Sequence, residues 1–205
     1  MDLIRNKDLN PSWLSELQRN FPDMTIPDEG MKKLKSMLSG ISLKKGEYLI
    51  RAGEIPQTIA FIVSGLFRAF YLTESGDEKT IVFRGKGKPL SAYSSFVKGQ
   101  TAKFSIQALE NSLLLSVSIG DFENLQAEDP LWRMFTGQYF MNLFIEKEQR
   151  EREFLSDDAE TRYKQFLRDY PGLENRIHHY HIASYLGITN VTLSRIRNRI
   201  GTSGK

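Results

Sequence analysis

The spacing of apolar residues divides the chain into a strand-rich part and a helical part. From Ile41 onward, short runs rich in Ile, Val, Phe and Tyr recur between glycines, as in FIVSGLFRAFYLTESGDEKTIVF, and QALENSLLLSVSI closes the series. Many short strands separated by tight turns favour an antiparallel barrel or jelly roll over a parallel sheet with crossover helices. Ahead of them, residues 12–39 are predicted to form short helices, one of which starts at Pro27-Asp28-Glu29.

After Asp129-Pro130 the apolar spacing becomes helical. The segment LWRMFTGQYFMNLFIEKEQREREFL carries two apolar stripes, one of Met134, Met141, Ile145 and Leu155 and one of Trp132, Phe135, Tyr139 and Leu143. Two apolar faces predict two packing partners, which are the barrel and a second subunit, although a single core helix in a monomer is the alternative. The mixed charges of residues 146–162 indicate a solvated helix surface. SDDAETRYKQFLRDYPG then predicts a further helix with Ser156 as its N-cap.

The segment HIASYLGITNVTLSRIRNRI, residues 181–200, predicts a helix-turn-helix. The inner faces of its two helices are supplied by Ile182, Ala183, Leu186, Leu193 and Ile196. Ala183 and Gly187 provide the small residue and the left-handed turn that two closely approaching helices need. Thr189 is suited to cap the second helix. An ordinary helical hairpin that only packs is the alternative interpretation.

The outward face of the second helix predicts contact with DNA. Its candidate DNA-binding residues are Thr189, Asn190, Val191, Thr192, Ser194, Arg195 and Arg199. No acid lies among them, and their side chains can donate to phosphates, bond base edges or place a methyl group beside thymine. Arg195 is the best candidate for a bidentate guanine contact. The net charge of the whole chain is only +3, but residues 176–205 contain Lys and Arg without any acid, which is typical of a surface that meets phosphates.

Composition excludes several classes of function. The chain has no cysteine, which excludes disulfides, thiolate zinc sites, cysteine-ligated iron–sulfur clusters and thiol redox sensing. Its three histidines are His178, His179 and His181, and a cluster without supporting acids is a poor metal site, so no metal is expected. No apolar run has the length of a signal peptide or a membrane span, so a cytoplasmic protein without membrane contact is expected.

The rival interpretation is a cupin-like barrel that binds or converts a small molecule, with a helical tail that only mediates dimerisation. Barrel enzymes of that kind use histidine and carboxylate metal ligands, and residues 41–120 contain no histidine. The sequence also has no nucleophile–base constellation and no P-loop. We therefore expect a protein that is not an enzyme.

The order of these parts resembles the Crp/Fnr family of bacterial transcription regulators. The likeness covers nearly the whole chain and rests on HIASYLGITNVTLSRIRNRI and on LKKGEYLIRAGEIPQTIAFIVSGLFRAF, where Gly46, Gly53 and Gly65 match turn glycines of the family. It implies an α+β protein with an N-terminal antiparallel β-roll, jelly-roll-like and with flanking helices. The implied domains are a cyclic-nucleotide-binding-like sensor at 1–129, a long dimerisation helix at 130–155 and a helix-turn-helix domain at 156–205.

The resemblance also implies partners and roles. A member of this family would bind palindromic double-stranded DNA as a homodimer and act with RNA polymerase. Its base-reading positions fall on Asn190, Val191 and Arg195, with Thr192 at a backbone-contacting place.

The effector loop departs from the family's pattern. Cyclic-AMP binders of the family carry a glycine–glutamate pair and, ten residues on, an arginine for the cyclic phosphate; these places are Ser91-Ala92 and Ala102 here. Without the arginine fork an anion loses charge-assisted bonds and geometric specificity, so cyclic AMP is not the expected ligand, and no cofactor is predicted. Two possibilities stay open. Another small molecule fills a pocket formed by Ser91, Ala92, Tyr93, Ser94, Ser95, Ala102 and Lys103, or the β-roll is a ligand-free scaffold.

Overall fold

A computed structural model of the chain describes residues 2–4 and 28–202. The strands are β1 (Asp2–Ile4), β2 (Ser39–Leu43), β3 (Tyr48–Ile50), β4 (Thr58–Ser64), β5 (Leu66–Leu72), β6 (Glu78–Gly85), β7 (Pro89–Leu90), β8 (Ser105–Ala108) and β9 (Ser112–Ser118). The helices are α1 (Asp28–Met37), α2 (Tyr93–Val97), α3 (Ile119–Glu128), α4 (Pro130–Ser156), α5 (Ala159–Asp169), α6 (His179–Leu186) and α7 (Asn190–Thr202), with a 3-10 turn at Leu173–Asn175. The helix expected to start at Pro27-Asp28-Glu29 is α1, whereas the helical prediction for residues 12–27 lies outside the described residues.

The strands form a β-roll of two antiparallel sheets. One sheet has the order β1-β2-β9-β4-β7 and the other the order β3-β8-β5-β6. The apolar residues that alternate along the strands meet between the sheets, where Ile41, Ile62 and Leu114 of the first sheet pack with Phe67 and Ile106 of the second. This confirms the antiparallel roll and excludes the parallel sheet with crossover helices.

A second apolar cluster lies on the other face of the five-stranded sheet. Phe61 and Leu115 present their side chains to Leu34 of α1, Leu125 of α3 and Trp132 of α4. The N-terminus of α4 is therefore anchored on the roll. Asp129 caps α4 by accepting from the Leu131 backbone N–H at 2.9 Å, and Pro130 occupies the first turn, where its missing N–H is harmless.

The boundary between α4 and α5 differs from the prediction. Ser156 was expected to cap the following helix, but it belongs to the last turn of α4, where its hydroxyl donates to the Arg152 carbonyl at 2.8 Å. Asp158 is the cap of α5 and accepts from the Thr161 N–H at 2.8 Å. The reason is that α4 continues through Ser156, and the extended backbone that an N-cap requires is found at Asp158, immediately before α5.

The third apolar cluster joins the C-terminal helices to the roll. Phe166, Ile182, Leu186 and Leu193 form its centre, and the roll adds three residues: Leu66, Phe83 and Leu109. Consequently the helix-turn-helix has no core that is separate from the roll. Among the described residues, no helix is long and apolar enough to cross a membrane.

The turn between β4 and β5 has no space for a side chain. At Gly65, φ is +104° and an added Cβ would lie 2.0 Å from the Ser112 Oγ and 2.8 Å from the Ser112 Cα. Gly76, in the next hairpin, has a φ of +85° but nothing within 4 Å of an added Cβ.

We expect Gly65→Ala to lower the free energy of unfolding by roughly 2–5 kcal/mol, because left-handed strain and overpacking add. The matched control Gly76→Ala should cost only the strain, roughly 1–2 kcal/mol. Urea denaturation of both variants measures the difference. Equal losses would contradict a role for the contact with Ser112.

Candidate nucleic-acid interface

The turn between α6 and α7 has the geometry of a helix-turn-helix. Gly187 ends α6 with a φ of +69°, and its N–H donates to the carbonyls of the preceding turn. A Cβ at this position would lie 2.8 Å from the Phe154 ring of α4, so both the backbone angle and the close approach require glycine. Thr189 accepts a hydrogen bond from the Thr192 N–H at 3.1 Å. The predicted roles of Gly187 as turn residue and Thr189 as cap are confirmed.

The inner faces of the two helices are buried as predicted. The buried residues are Ile182, Ala183, Leu186, Leu193 and Ile196. Ala183 is the small residue at the crossing, and its carbonyl accepts from the Ile188 N–H at 3.0 Å. Burial of this set fixes the rotation of α7 about its own axis, so the opposite face of α7 must point outward.

The outward face of α7 is open for most of its length. The exposed members of the predicted DNA-binding set are Thr189, Asn190, Val191, Ser194, Arg195 and Arg199, and Thr192 is half-buried. Thr192 turns its hydroxyl toward that of Thr189, 3.0 Å away. The structure thus brings all seven predicted residues to the N-terminal end and one side of a single helix, whereas their contact with DNA stays a prediction.

The arginines of α7 differ in how far they are already bonded. Arg199 contacts Glu160 of α5 at 3.1 Å, so the acid-free face predicted from α7 alone receives a carboxylate from a neighbouring helix. Arg197 turns toward His179 and Glu174. Within the described residues, Arg195 forms no ion pair and no hydrogen bond through its guanidinium. Arg195 is therefore the arginine of α7 that is left to bond an external acceptor.

Two arginines outside the motif hold its first helix. Arg150 of α4 donates to the Tyr185 carbonyl at 2.6 Å, and Arg162 of α5 donates to the Leu186 carbonyl at 3.3 Å. The last carbonyls of a helix have no partner within it, and these guanidinium groups supply one. Residues 146–162 were expected to be a solvated surface. For Arg150 this is wrong, because its guanidinium stacks 3.7 Å from the centre of the Tyr185 ring. Its burial there lowers the pKa of the guanidinium. The signal was present in the sequence only as two charges among many.

The two apolar stripes of α4 have different environments. Trp132 and Phe135 are buried against the roll, and burial raises the pKa of Tyr139 on the same side to about 12. The other stripe is exposed to solvent, and so are two phenylalanines beside it. The stripe consists of Met134, Met141, Ile145 and Leu155, and the neighbouring phenylalanines are Phe140 and Phe144. A continuous exposed apolar surface of this kind marks a site of contact with another molecule.

Comparisons with known proteins match both parts of the molecule. Residues 41–129 match the family model of the cyclic nucleotide-binding domain. The fumarate and nitrate reduction regulatory protein of Vibrio cholerae is 29% identical over 176 residues, which are 78% of this chain and 68% of that protein.

Two solved structures have the same fold. FixK2 from Bradyrhizobium japonicum superposes with a TM-score of 0.71 at 19% identity, covering 82% of this chain and 86% of its own. A transcriptional regulator of Eubacterium rectale, assigned to the crp/fnr family, has a TM-score of 0.71 at 16% identity and covers 95% of this chain and 88% of its own. Both the sequence and the fold of the chain are thus similar to those of Crp/Fnr-family regulators.

The similarity to Crp/Fnr regulators favours one of the two interpretations of the sequence. The relatives matched are transcription regulators, which supports a Crp/Fnr-type regulator, and the cupin-like enzymatic or binding barrel is not favoured. The α+β fold class, with its β-roll, long helix and C-terminal helices, is shared with these structures.

The loop expected to bind an effector is packed against the rest of the roll. The segment SAYSSF forms the short helix α2, and Ala92, Ser95 and Ala102 are buried. Ala102 is tied to the loop after β3, where its N–H donates to the Glu54 carbonyl at 2.7 Å. Ser91 donates its hydroxyl to the Thr58 carbonyl at 3.1 Å. These contacts bond the Ser91 hydroxyl and the Ala102 N–H within the protein.

The remaining residues of the predicted pocket do not converge on one point. Tyr93 stacks on Phe140 of α4 with ring centroids 5.4 Å apart, and Ser94 and Lys103 are exposed. None of the seven residues lines the larger of the cavities found among the described residues.

That larger cavity is a cleft on the other side of α4. It has a volume of about 530 Å³ and lies between β6, α4 and the C-terminal helices, with walls that include Ile81, Phe83, Arg84, Lys88, Leu143 and Lys147. Burial lowers the pKa of Lys88, and Arg84 forms an ion pair with Glu146 at 2.5 Å. The cleft therefore combines apolar walls with ammonium groups, and it contacts the β-roll and the C-terminal helices together.

Proposed function

We propose that the chain is a Crp/Fnr-type regulator, which binds a palindromic DNA site as a homodimer, each subunit placing α7 in a major groove. The observation that carries the proposal is the outward face of α7, which is held rigidly by the buried inner face, Gly187 and the Thr189 cap, and which presents short polar side chains without an acid of its own. A recognition helix reads bases with its N-terminal residues, and those are the exposed ones here.

Arg195 is the residue we assign to base recognition. It is exposed, and among the described residues it has no ion pair that DNA would need to break. A guanidinium can bond the O6 and N7 atoms of guanine together. Asn190 and Val191 precede it by about one turn and would meet neighbouring bases, while Thr192 would meet the backbone.

The exposed stripe of α4 supports the homodimer. A second copy of the same helix would cover Met141, Phe144 and Ile145, and a two-fold axis along α4 would place two copies of α7 about one helical turn of DNA (~34 Å) apart. In this arrangement residues 1–129 are the sensor, 130–155 the dimerisation helix and 156–205 the DNA-reading domain. Because its target is the chromosome, the protein would work in the cytoplasm and act through RNA polymerase.

Regulation without cyclic AMP is part of the proposal. Buried Ala92 and Ala102 stand where a carboxylate and a guanidinium would hold the ribose and the phosphate, and alanine can bond neither. A small-molecule effector, where one acts, would bind in the cleft between β6 and α4 rather than in the closed loop, because the cleft is open and contacts the reading domain.

Selection from random duplex DNA, with and without cyclic AMP at one fixed salt concentration, tests this function. We expect enrichment of a palindrome in both conditions with equal affinity, because the loop offers the nucleotide no charged partner. Enrichment only with cyclic AMP would contradict our account of Ala92 and Ala102. Enrichment of no sequence in either condition would overturn DNA reading without a bound effector.

Replacement of Arg195 tests the base-reading assignment. Arg195→Ala should weaken binding to the selected palindrome by about 1–3 kcal/mol and leave the fold intact, since the side chain is exposed. Arg168→Ala, on the exposed surface of α5, is the matched control and should change binding little. Electrophoretic mobility shifts on the palindrome and on a scrambled duplex measure both variants. An equal loss on the two duplexes would show that Arg195 contacts only phosphate.

A charge on the exposed stripe of α4 tests the dimer. Ile145→Glu should convert the protein to a monomer at micromolar concentration and weaken palindrome binding at least tenfold, because two carboxylates cannot be desolvated together in an apolar seam. Ile145→Leu keeps the apolar contact and should remain dimeric. Sedimentation equilibrium measures the association. A dimeric Ile145→Glu protein would place the subunit contact elsewhere.

A further inference from the structure

Helix α6 is bonded to the free edge of a β-sheet. The Ser184 hydroxyl accepts from the Thr80 N–H at 2.8 Å and donates to the Glu78 carbonyl at 2.5 Å. Both groups belong to β6, which is the edge strand of the four-stranded sheet. Edge strands leave such groups unpaired, so one serine side chain supplies what a further strand would otherwise supply. The first helix of the DNA-reading motif is thereby joined to the sensor.

Apolar contacts strengthen this attachment. Phe83, on the same strand, is 1% exposed. Its ring centroid lies 5.4 Å from that of Tyr185 in α6, 5.6 Å from that of Tyr170 and 6.2 Å from that of Phe166. Aromatic burial of this kind favours, at any pH, the docked state, in which α6 packs on the β-roll.

A layer of buried polar groups between the sheet and α6 opposes docking. Three side-chain atoms there have no hydrogen-bond partner within the described residues: Arg68 Nη1, Thr80 Oγ1 and His181 Nδ1. Their side chains are 2%, 4% and 3% exposed, respectively. Polar atoms that lose water without gaining a partner destabilise the state that buries them. The docked state is therefore less stable than its apolar contacts alone would make it.

His181 faces positive groups from several elements. Arg68 of β5 lies beneath it and is held by Glu78 in an ion pair at 2.5 Å. His178, at the N-terminus of α6, has its ring centroid 6.3 Å away, and Lys45 approaches from the turn after β2. Burial first, and then the charge of Arg68, lower the pKa of His181 to about 3. His181 is consequently neutral in the docked structure.

We propose that α6 is a protonation-sensitive latch, which holds the reading helices on the β-roll while His181 is neutral and releases them when His181 is charged. A released domain exposes His181 to water, where it binds a proton more readily than in the docked state. The consequence for DNA rests on the function proposed above. The docked state fixes the direction of α7, and a domain that has lost its contacts with β6 no longer keeps the fixed spacing that a palindrome requires.

The direction of the pH effect follows from linkage. A histidine whose pKa is lowered by docking, from 6.5 to about 3, leaves the docking equilibrium unchanged above pH 6.5. Below that pH the released state takes up one proton more than the docked state, and the docking constant falls about tenfold per pH unit. Mild acid therefore opens the latch.

Hydrogen exchange at the Thr80 amide tests the latch directly, because that N–H is bonded to Ser184. We expect its protection, corrected for the intrinsic rate, to be constant above about pH 6.5 and to fall about tenfold by about pH 5.5. The Leu114 amide in the interior strand β9 should keep its protection, which separates release of α6 from global unfolding. Constant Thr80 protection across this range would overturn the proposal.

Three variants identify the group that titrates. His181→Gln should remove the pH dependence of Thr80 protection, whereas the control His179→Gln, at an exposed position in the same helix, should retain it. Ser184→Ala should lower Thr80 protection at every pH while Leu114 stays protected, which keeps the test valid if His181→Gln fails to fold. A pH dependence that persists in folded His181→Gln would assign the effect to another group.

Binding to the selected palindrome separates the latch from the proposed function. Wild-type affinity should fall relative to His181→Gln between about pH 6.5 and 5.5, up to about tenfold. Equal affinities in the presence of a measured release would show that docking does not direct α7. If the protein selects no DNA, the proposed function fails, and the exchange experiment still decides whether the latch exists.

Discussion

Burial of the Phe83 side chain couples the two halves of the molecule. The residue belongs to a strand of the β-roll, yet its ring packs among Phe166, Tyr170 and Tyr185 of the C-terminal helices. Large aromatic side chains dominate the energetics of packing, so the position of the C-terminal helices depends on the position of β6. A change that moves β6 must either carry these helices along or break the cluster.

Helix α4 is the second element on which the arrangement depends, because it contacts every functional surface. Its buried stripe anchors Trp132 on the roll, its exposed stripe is available to a second subunit, and its Arg150 holds the end of α6. It also forms one wall of the cleft. Coupling between distant sites requires an element with which both interact. Helix α4 meets that condition, because its exposed stripe, the cleft and the end of α6 all lie along it.

The architecture of the roll does not depend on the residues of its loop. Ala92 and Ala102 are small and apolar, and both pack into the protein. The strands need only the alternation of apolar residues to form the sheets, so the fold is independent of whether the loop can bind an anion.

The sequence by itself determined the elements whose causes are local. Short runs rich in Ile, Val, Phe and Tyr between glycines predicted the strands, and two apolar stripes predicted the two-faced helix α4. Gly187 with Thr189 predicted the turn and cap, because a positive φ and an N-cap each depend on a few adjacent residues. Tertiary structure alone decided that Asp158 rather than Ser156 caps α5, that Glu160 meets Arg199 and that His181 is buried over Arg68. These outcomes join residues from different elements, and their contacts arise from packing, which no local pattern of residues encodes.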